Sequence, residues 1–270
     1  MDILADLPAF LIVFALGASV GSFLNVIVYR VPAGLSVLRP PSRCPHCHTR
    51  LGITENVPVF GWLWLRGRCR HCRAPISSRY PLVEGATGLL FLLIFLTGSG
   101  SVVELLGTWA LFAWLLALSL IDVDTFTLPN PLTQSGLVAG LCYQGVRGWQ
   151  AEEFPQQLMV GILGAVVGLW LFEAIAFLGS IAFGQAAMGA GDGKLAALMG
   201  AWLGWKLLLV AGFIACALGA FVGGGAIALG ILNRRQPMPF GPFLAIGAGV
   251  TALWGETILS TYMKLFFPAV

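Results

Sequence analysis

The chain has 270 residues, 58% of them apolar and only 10% charged, and its mean hydropathy is +0.88. This composition excludes an ordinary soluble globular protein and is typical of a polytopic membrane protein. The formal net charge is only +3, so the distribution of the basic residues is more informative than their sum.

Apolar stretches predict eight transmembrane helices and therefore an all-α fold. A helix needs about 20 apolar residues to cross the hydrocarbon core. The first stretch lacks a basic n-region and a clear cleavage site, so we expect a retained helix rather than a signal peptide. The sixth stretch is the weakest because it is short and lies close to the seventh. The predicted spans are residues 8–30, 80–98, 102–121, 129–147, 156–179, 191–206, 207–232 and 241–266.

The charge along the chain predicts the orientation of these helices. Nine arginines lie in residues 30–79, so the positive-inside rule makes this loop cytoplasmic and places the N-terminus outside. Alternating spans then place Asp122, Asp192 and the pair Arg234 and Arg235 on the cytoplasmic side. In this arrangement 12 of the 15 basic residues are cytoplasmic, whereas seven spans would place either Asp192 or the arginine pair badly.

One segment, residues 31–79, is not membrane-like and forms a small module between the first two predicted helices. It contains two C-x-x-C pairs separated by 21 residues, namely Cys44, Cys47, Cys69 and Cys72. Four thiolates in two such pairs suit a tetrahedral structural Zn²⁺, which would replace the core that so short a segment cannot build. The alternative is two disulfides, which a reducing cytoplasmic location disfavours.

The remaining polar residues of this module are assigned more ordinary roles. We expect His46, His48 and His71 to be solvated neighbours of the metal site, because four sulfurs already fill the coordination shell. The arginines lie at a membrane surface, so we expect anionic lipid headgroups rather than nucleic acid as their partners. Cys142 and Cys216 lie in predicted spans, where we expect them to be buried small apolar residues.

Three acidic residues near the ends of apolar stretches are candidates for catalysis: Asp122, Asp124 and Asp192. Two carboxyl groups on one side of a membrane can share a proton and activate a water molecule. Asp122 and Asp124 are about 200° apart on a helix and cannot form one pair, so we expect Asp124 to be solvated near a turn. Asp192 ends a Gly-Ala-Gly-Asp sequence, for which the alternative is a tight turn and a helix cap.

A series of motifs extends in order along nearly the whole chain. It consists of Gly21-Ser-Phe-Leu-Asn25-Val26 with Arg30, the two C-x-x-C pairs, Glu55-Asn-Val-Pro58, Gly67-Arg-Cys69, Arg79-Tyr-Pro-Leu-Val-Glu84, Ile121-Asp-Val-Asp124, Leu128-Pro-Asn130, Gly189-Ala-Gly-Asp-Gly-Lys194 and Pro239-Phe-Gly-Pro242. With these motifs in this order, the chain resembles the bifunctional type IV prepilin leader peptidases, which also methylate the new N-terminus of the protein that they cleave. One departure is Gly193, which stands where bulkier residues are common but removes no chemistry.

The resemblance implies a membrane aspartic peptidase with Asp122 and Asp192 as the catalytic pair. It implies a multi-pass protein of the bacterial inner membrane with its active site at the cytoplasmic face. Its substrates would be type IV prepilins and the pseudopilins of type II secretion, cut after a glycine. The new first residue, usually Phe, would then be N-methylated with S-adenosylmethionine as the methyl donor.

The methyl-transfer site is less defined, because the chain has no G-x-G-x-x-G sequence of a Rossmann methyltransferase. We therefore expect it in residues 1–79, the first helix and the cysteine module, with the peptidase core in residues 80–270. Through the resemblance, six residues are associated with substrate or methyl transfer: Gly21, Asn25, Glu55, Gly67, Glu84 and Lys194.

Three other functions are weighed against this one. A peptidase without methyltransferase activity would not need so large a cysteine loop. A transporter with the acidic residues as an ion relay is disfavoured, because these residues lie at the interface and no inverted repeat is visible. A purely structural metal-bearing assembly protein would leave the aspartate pair without a purpose.

Overall fold

The computed structural model describes residues 3–98, 100–184, 188–233 and 236–267; Arg234 and Arg235 lie outside this part of the chain. The all-α prediction is confirmed, because regular structure in the described residues is helical apart from two isolated bridges. The elements are α1 (Ile3–Arg30), a 3₁₀ turn (Thr54–Asn56), α2 (Phe60–Trp64), α3 (Arg79–Thr97), α4 (Val102–Thr125), α5 (Asn130–Gln150), α6 (Phe154–Phe183), α7 (Asp192–Ala228) and α8 (Gly241–Phe266).

Six helices of the described ranges are long and apolar enough to cross a membrane: α1, α3, α4, α6, α7 and α8. The chain is therefore a multi-pass membrane protein. The prediction of about eight spans agrees with these helices once two further features are considered. One is α5, whose 21 residues occupy the fourth predicted span. The other is α7, whose 37 residues are interrupted by a sharp kink.

The kink in α7 is at Gly204, where φ is 74° and ψ is 167°. This conformation is accessible to glycine and strained for other residues. It divides α7 into a first arm, residues 192–203, and a second arm, residues 205–228. These arms correspond in position to the sixth and seventh predicted spans, so the number of long helical segments in the described residues roughly matches the prediction of about eight.

The packing of α7 on α6 indicates that the chain reverses at Gly204. In the first arm, a β-carbon at Gly200 would overlap the carbonyl of Gly164 on α6. In the second arm, a β-carbon at Gly212 would lie 3.3 Å from Cζ of Phe172, which is about two turns from Gly164 along α6. A straight α7 would instead continue past Gly164 toward the start of α6. The two arms therefore form a helical hairpin.

The hairpin turn leaves carbonyl groups at the end of the first arm without helical partners. One of them is satisfied by α5, because Nε2 of Gln144 donates to the Trp202 carbonyl at 2.9 Å. In return, Nε1 of Trp202 donates to the Gly136 carbonyl at 2.8 Å, and the Trp202 ring stacks on Tyr143 with a centroid separation of 5.1 Å. The first arm is thus fixed on α5 by hydrogen bonds and on α6 by glycine packing.

The chain divides into two compact units, residues 1–99 and 100–270. In the first unit α1 and α3 are antiparallel, and a β-carbon at Gly21 would lie only 2.8 Å from Cα of Glu84. Nδ2 of Asn25 donates to the Tyr80 carbonyl at 3.2 Å. The boundary between these units comes after α3, whereas the division predicted from the sequence comes after residue 79. The assignment of separate activities to these parts stays a prediction.

The expectation that Cys142 and Cys216 are buried is wrong, because both are exposed at the helix surface. Composition identifies the span in which such a residue lies but not the face that it occupies. In a membrane helix, a face that contacts lipid can be as apolar as one that contacts another helix. Both thiols are therefore on the protein surface.

The close packing of α6 and the first arm of α7 yields a stability prediction. Gly200→Ala should lower the free energy of unfolding by about 1–3 kcal/mol, because the new β-carbon overlaps the Gly164 backbone. The matched control is Gly225→Ala in the second arm, where a β-carbon has no neighbour within 4 Å. This variant should match the wild type or exceed it by up to about 1 kcal/mol. Denaturant titration in detergent micelles measures both, and equal effects would contradict the packing.

Candidate active site and metal centre

Asp122 lies in the last turn of α4, just before the helix ends at Phe126 in a left-handed conformation. Its side chain is 5% exposed. Oδ2 of Asp122 accepts a hydrogen bond from the amide of Gly241, the first residue of α8, at 2.9 Å. A β-carbon at Gly241 would lie 2.7 Å from this oxygen, so only glycine permits the approach. The carboxyl group is therefore buried and oriented by the start of another helix.

Asp192 is the first residue of α7 and is also 5% exposed. Its Oδ2 accepts a hydrogen bond from the amide of Gly189 at 3.0 Å, which closes the short loop before the helix. A β-carbon at Gly191 would lie 2.8 Å from Cβ of Leu128, so the loop needs glycine to fit against the segment that follows α4. Asp192 can therefore cap the loop before α7 and also take part in the site.

The loop before Asp192 packs against Leu128, six residues after Asp122, so the two carboxyl groups belong to one region of the second unit. Each group has one oxygen fixed by a backbone amide of a glycine. Two neighbouring carboxyl groups of this kind can share a proton through their other oxygens. The arrangement can therefore supply one general base and one general acid to a water molecule and a bound carbonyl group.

Two further polar residues lie near this pair in sequence. Asp124 is exposed, as expected for a residue outside the pair. Lys194 is exposed too, and its Nζ donates to Oδ1 of Asn130 at 2.7 Å. This hydrogen bond joins the first turn of α7 to the first residue of α5, so Lys194 helps to position the loop that carries Asp192.

The four cysteines of the first unit form a compact cluster. Their sulfur atoms all lie within 4.8 Å of one another, and none of the four is in a disulfide. Sγ of Cys44 is 3.8 Å from that of Cys72, and Sγ of Cys47 is 3.9 Å from that of Cys69. Zn–S bonds of about 2.3 Å in a tetrahedral site place the sulfurs about 3.8 Å apart. The cluster therefore has the dimensions of a four-thiolate metal site, and the disulfide alternative is wrong.

The two C-x-x-C pairs adopt the same local structure. The Cys44 amide donates to the Thr49 carbonyl at 3.0 Å, and the Cys69 amide donates to the Ala74 carbonyl at 2.9 Å. Each knuckle is closed by an isolated bridge, Arg43–Arg50 in the first and Arg68–Pro75 in the second. Such a repeat brings two ligands from each knuckle toward one centre. As expected, the three histidines of the module are exposed.

The thiols of the cluster differ in acidity. Hydrogen bonds from Thr49 lower the pKa of Cys47 to about 6. A backbone hydrogen bond from Ala74 acts in the same direction on Cys72, but burial and the neighbouring thiols raise the pKa of Cys72 to about 11. A divalent cation among the sulfurs would release the remaining protons, as in other thiolate sites.

The other residues that the resemblance singled out surround the knuckles and the helix pair of the first unit. Gly67, with φ of 68°, packs against the Trp62 ring. Oε2 of Glu84 accepts a hydrogen bond from the Val59 amide at 2.7 Å, and Oε2 of Glu55 accepts one from the Gly52 amide at 2.7 Å. These residues are therefore distinct from the aspartate pair in the sequence and in the unit to which they belong.

The sequence reasoning missed the part played by the Gly241 amide. The glycine of the Pro239-Phe-Gly-Pro242 motif is separated from Asp122 by 119 positions, so the sequence gives no sign that the two residues meet. The signal that could have found it is a glycine followed by a proline at the start of a predicted helix. Such a helix start presents backbone amides to an anionic group.

Two family models match the chain, one in each of the two units. The family model described as "Bacterial Peptidase A24 N-terminal domain" matches residues 15–97. The family model described as "Type IV leader peptidase family" matches residues 109–224 and so includes both Asp122 and Asp192. The chain belongs to the type IV leader peptidase family.

Relatives of this peptidase family are similar over most of their length. A protein named prepilin leader peptidase/N-methyltransferase from Aeromonas hydrophila is 37% identical, over 95% of this chain and 94% of its own. Proteins of the same name from Burkholderia pseudomallei strain 1026b and from Pseudomonas putida are 40% and 38% identical. These alignments cover 89% and 97% of this chain and 84% and 97% of the relatives. No solved structure matches the chain.

The geometry of the cysteine cluster predicts about one bound metal ion per chain. Cys72→Ser should lose the metal, because it removes one of four ligands. The matched control is Cys142→Ser in α5, which should retain it. Elemental analysis of the purified proteins measures the metal content. An absence of metal from wild-type protein, with two disulfides by thiol titration, would contradict the assignment.

Proposed function

We propose that this protein cleaves the leader peptide of type IV prepilins and of type II secretion pseudopilins. The observation that carries the proposal is the buried pair of Asp122 and Asp192, in a chain that belongs to the type IV leader peptidase family. Both carboxyl groups lie at helix ends, where an extended segment of substrate can approach through glycine-lined backbone. Cleavage occurs after a glycine of the substrate.

In the proposed mechanism, one aspartate is ionised and the other is protonated. The ionised carboxylate takes a proton from water, and the resulting hydroxide attacks the scissile carbonyl carbon. The protonated carboxyl group donates its proton to the carbonyl oxygen as the tetrahedral intermediate forms. Proton transfer to the leaving amine then breaks the C–N bond. The amides of Gly241 and Gly189 keep both side chains in place throughout.

We further propose that the new N-terminus, usually Phe, is methylated in the first unit. S-adenosylmethionine supplies the methyl group when it is bound. Glu55 fits a cationic partner there, because its buried Oε1 has no hydrogen-bond partner in the described part of the chain. Gly21, Asn25 and Glu84 support the same region through contacts between α1 and α3.

Zn²⁺ is the proposed occupant of the cysteine cluster, where it has a structural role. Support comes from the sulfur–sulfur distances of 3.8 and 3.9 Å, which suit Zn–S bonds of about 2.3 Å.

We also propose that the arginine-rich module lies on the cytoplasmic side of the bacterial inner membrane and that the N-terminus lies outside. The positive-inside rule also assigns the aspartate pair to the cytoplasmic face.

The peptidase proposal predicts the effect of removing one carboxylate at a time. Asp122→Asn and Asp192→Asn should each reduce prepilin cleavage by about 10³-fold or more, because each removes a proton carrier of the pair. The matched control Asp124→Asn should remain close to wild type, since this side chain is exposed. Cleavage in proteoliposomes, followed by mass spectrometry, measures the rates. Undiminished cleavage by either of the first two variants would overturn the catalytic assignment.

The division of labour predicts that cleavage precedes methylation and that the two can be separated. Asp192→Asn should still methylate mature, unmethylated pilin supplied with labelled S-adenosylmethionine, because its carboxylate is not in the first unit. Glu55→Gln should show the opposite pattern, cleaving prepilin while transferring less label. Scintillation counting of the purified pilin gives the methylation rate. No transfer by a folded Asp192→Asn protein, with normal transfer by wild type, would mean that the sites are not independent.

A further inference from the structure

The short helix α2 presents its apolar face away from the module that carries it. Phe60, Leu63 and Trp64 are exposed and have the i, i+3, i+4 spacing of one helix face. The opposite face is attached to the module, because Nε1 of Trp62 donates to the Ile76 carbonyl at 3.0 Å. This polarity is the reverse of that of a helix on a soluble domain, where the apolar side faces the core.

Further large apolar side chains are exposed in the preceding segment. Ile53, next to the 3₁₀ turn, is 92% exposed, and Val57 is also exposed. Trp64 at the end of α2 is 88% exposed. A group of large apolar side chains so fully exposed on one small module indicates an interaction surface rather than scattered surface residues. We call Ile53, Val57, Phe60, Leu63 and Trp64 the α2 face.

The charge around the α2 face is strongly positive. The module of residues 31–79 has one acidic residue, Glu55, and eight arginines: Arg39, Arg43, Arg50, Arg66, Arg68, Arg70, Arg73 and Arg79. All eight arginine side chains are exposed. Arg66 follows α2 after a single residue. The partner of such a surface must be apolar where it meets Trp64 and anionic around it.

The attachment of α2 to α3 indicates how far α2 lies from the membrane. The Val59 amide, one residue before α2, donates to Oε2 of Glu84 at 2.7 Å. Glu84 lies five residues after Arg79, where α3 begins, or about 7.5 Å along the helix axis. The 19 residues of α3 are about 28 Å long, close to the thickness of the hydrocarbon core. The start of α2 therefore lies within about 8 Å of the membrane edge at which α3 begins.

We propose that the α2 face docks on the anionic headgroup region of the same membrane leaflet and inserts Trp64, Phe60 and Leu63 at the acyl boundary. An exposed tryptophan with arginines beside it is typical of segments that lie in a membrane interface. The arginines favour an anionic partner, and the level of Val59 on α3 places lipid within reach. This docking holds the cysteine module against the membrane surface and does not depend on the proposed catalytic function.

The test uses full-length protein labelled with 5-fluorotryptophan in nanodiscs of phosphatidylcholine and phosphatidylglycerol. The Trp64 resonance is assigned with Trp64→Phe. A nitroxide on the lipid near the headgroup should broaden it strongly, whereas an aqueous gadolinium chelate should not. Broadening by the chelate without broadening by the lipid nitroxide would overturn the proposal. Protection from both reagents would also overturn it, because the face would then be covered by protein.

The contribution of charge is tested in the same preparation. Arg66→Gln should lower the ratio of docked to undocked α2 about fivefold, because the attraction of one arginine to an anionic membrane surface favours docking by about this factor. The effect should disappear in nanodiscs of phosphatidylcholine alone. Trp62, on the attached side of α2, is the internal control and should broaden less than Trp64 with the lipid nitroxide. A ratio that is unchanged by Arg66→Gln and by lipid charge would contradict the anionic partner.

Discussion

The second unit depends on keeping two carboxyl groups buried at the ends of membrane helices in a fixed geometry. Burial of a carboxylate is costly unless hydrogen bonds replace the lost water. Here the replacement comes from two backbone amides, those of Gly241 and Gly189. Glycine is needed at Gly241 because a side chain there would occupy the position of the Asp122 oxygen. The high glycine content of the chain thus serves the site as well as helix packing.

The helical hairpin of α7 extends this constraint through the unit. Asp192 begins the first arm, so any movement of that arm moves the carboxyl group. The arm is too short to cross a membrane alone, since its 12 residues are about 18 Å long. It is instead surrounded by protein, with Gly200 against α6 and Trp202 hydrogen-bonded to α5. The cysteine module of the first unit is too short to build such a core, and a metal ion held by its four clustered thiols would replace it.

Much of this architecture could be predicted because it follows from local composition. Apolar stretches predict the membrane class and roughly the number of long helical segments, and the weak sixth stretch corresponds to the first arm of α7. The spacing of the four cysteines predicted their cluster. Contacts between distant positions could not be predicted, such as the hydrogen bond from Gly241 to Asp122 across 119 positions. The wrong prediction for Cys142 has the same origin, because the packing between helices decides whether a side chain contacts lipid or protein.

The central claim is that Asp122 and Asp192 act as one catalytic unit. The most direct measurement is a double-mutant cycle on prepilin cleavage, with Asp122→Asn, Asp192→Asn and the double variant compared in the same proteoliposomes. If the two carboxyl groups share one proton and one water, the second substitution costs almost nothing after the first, and the double variant cleaves as slowly as either single variant. If the losses instead multiply, the two residues contribute independently, and the shared-site account is wrong.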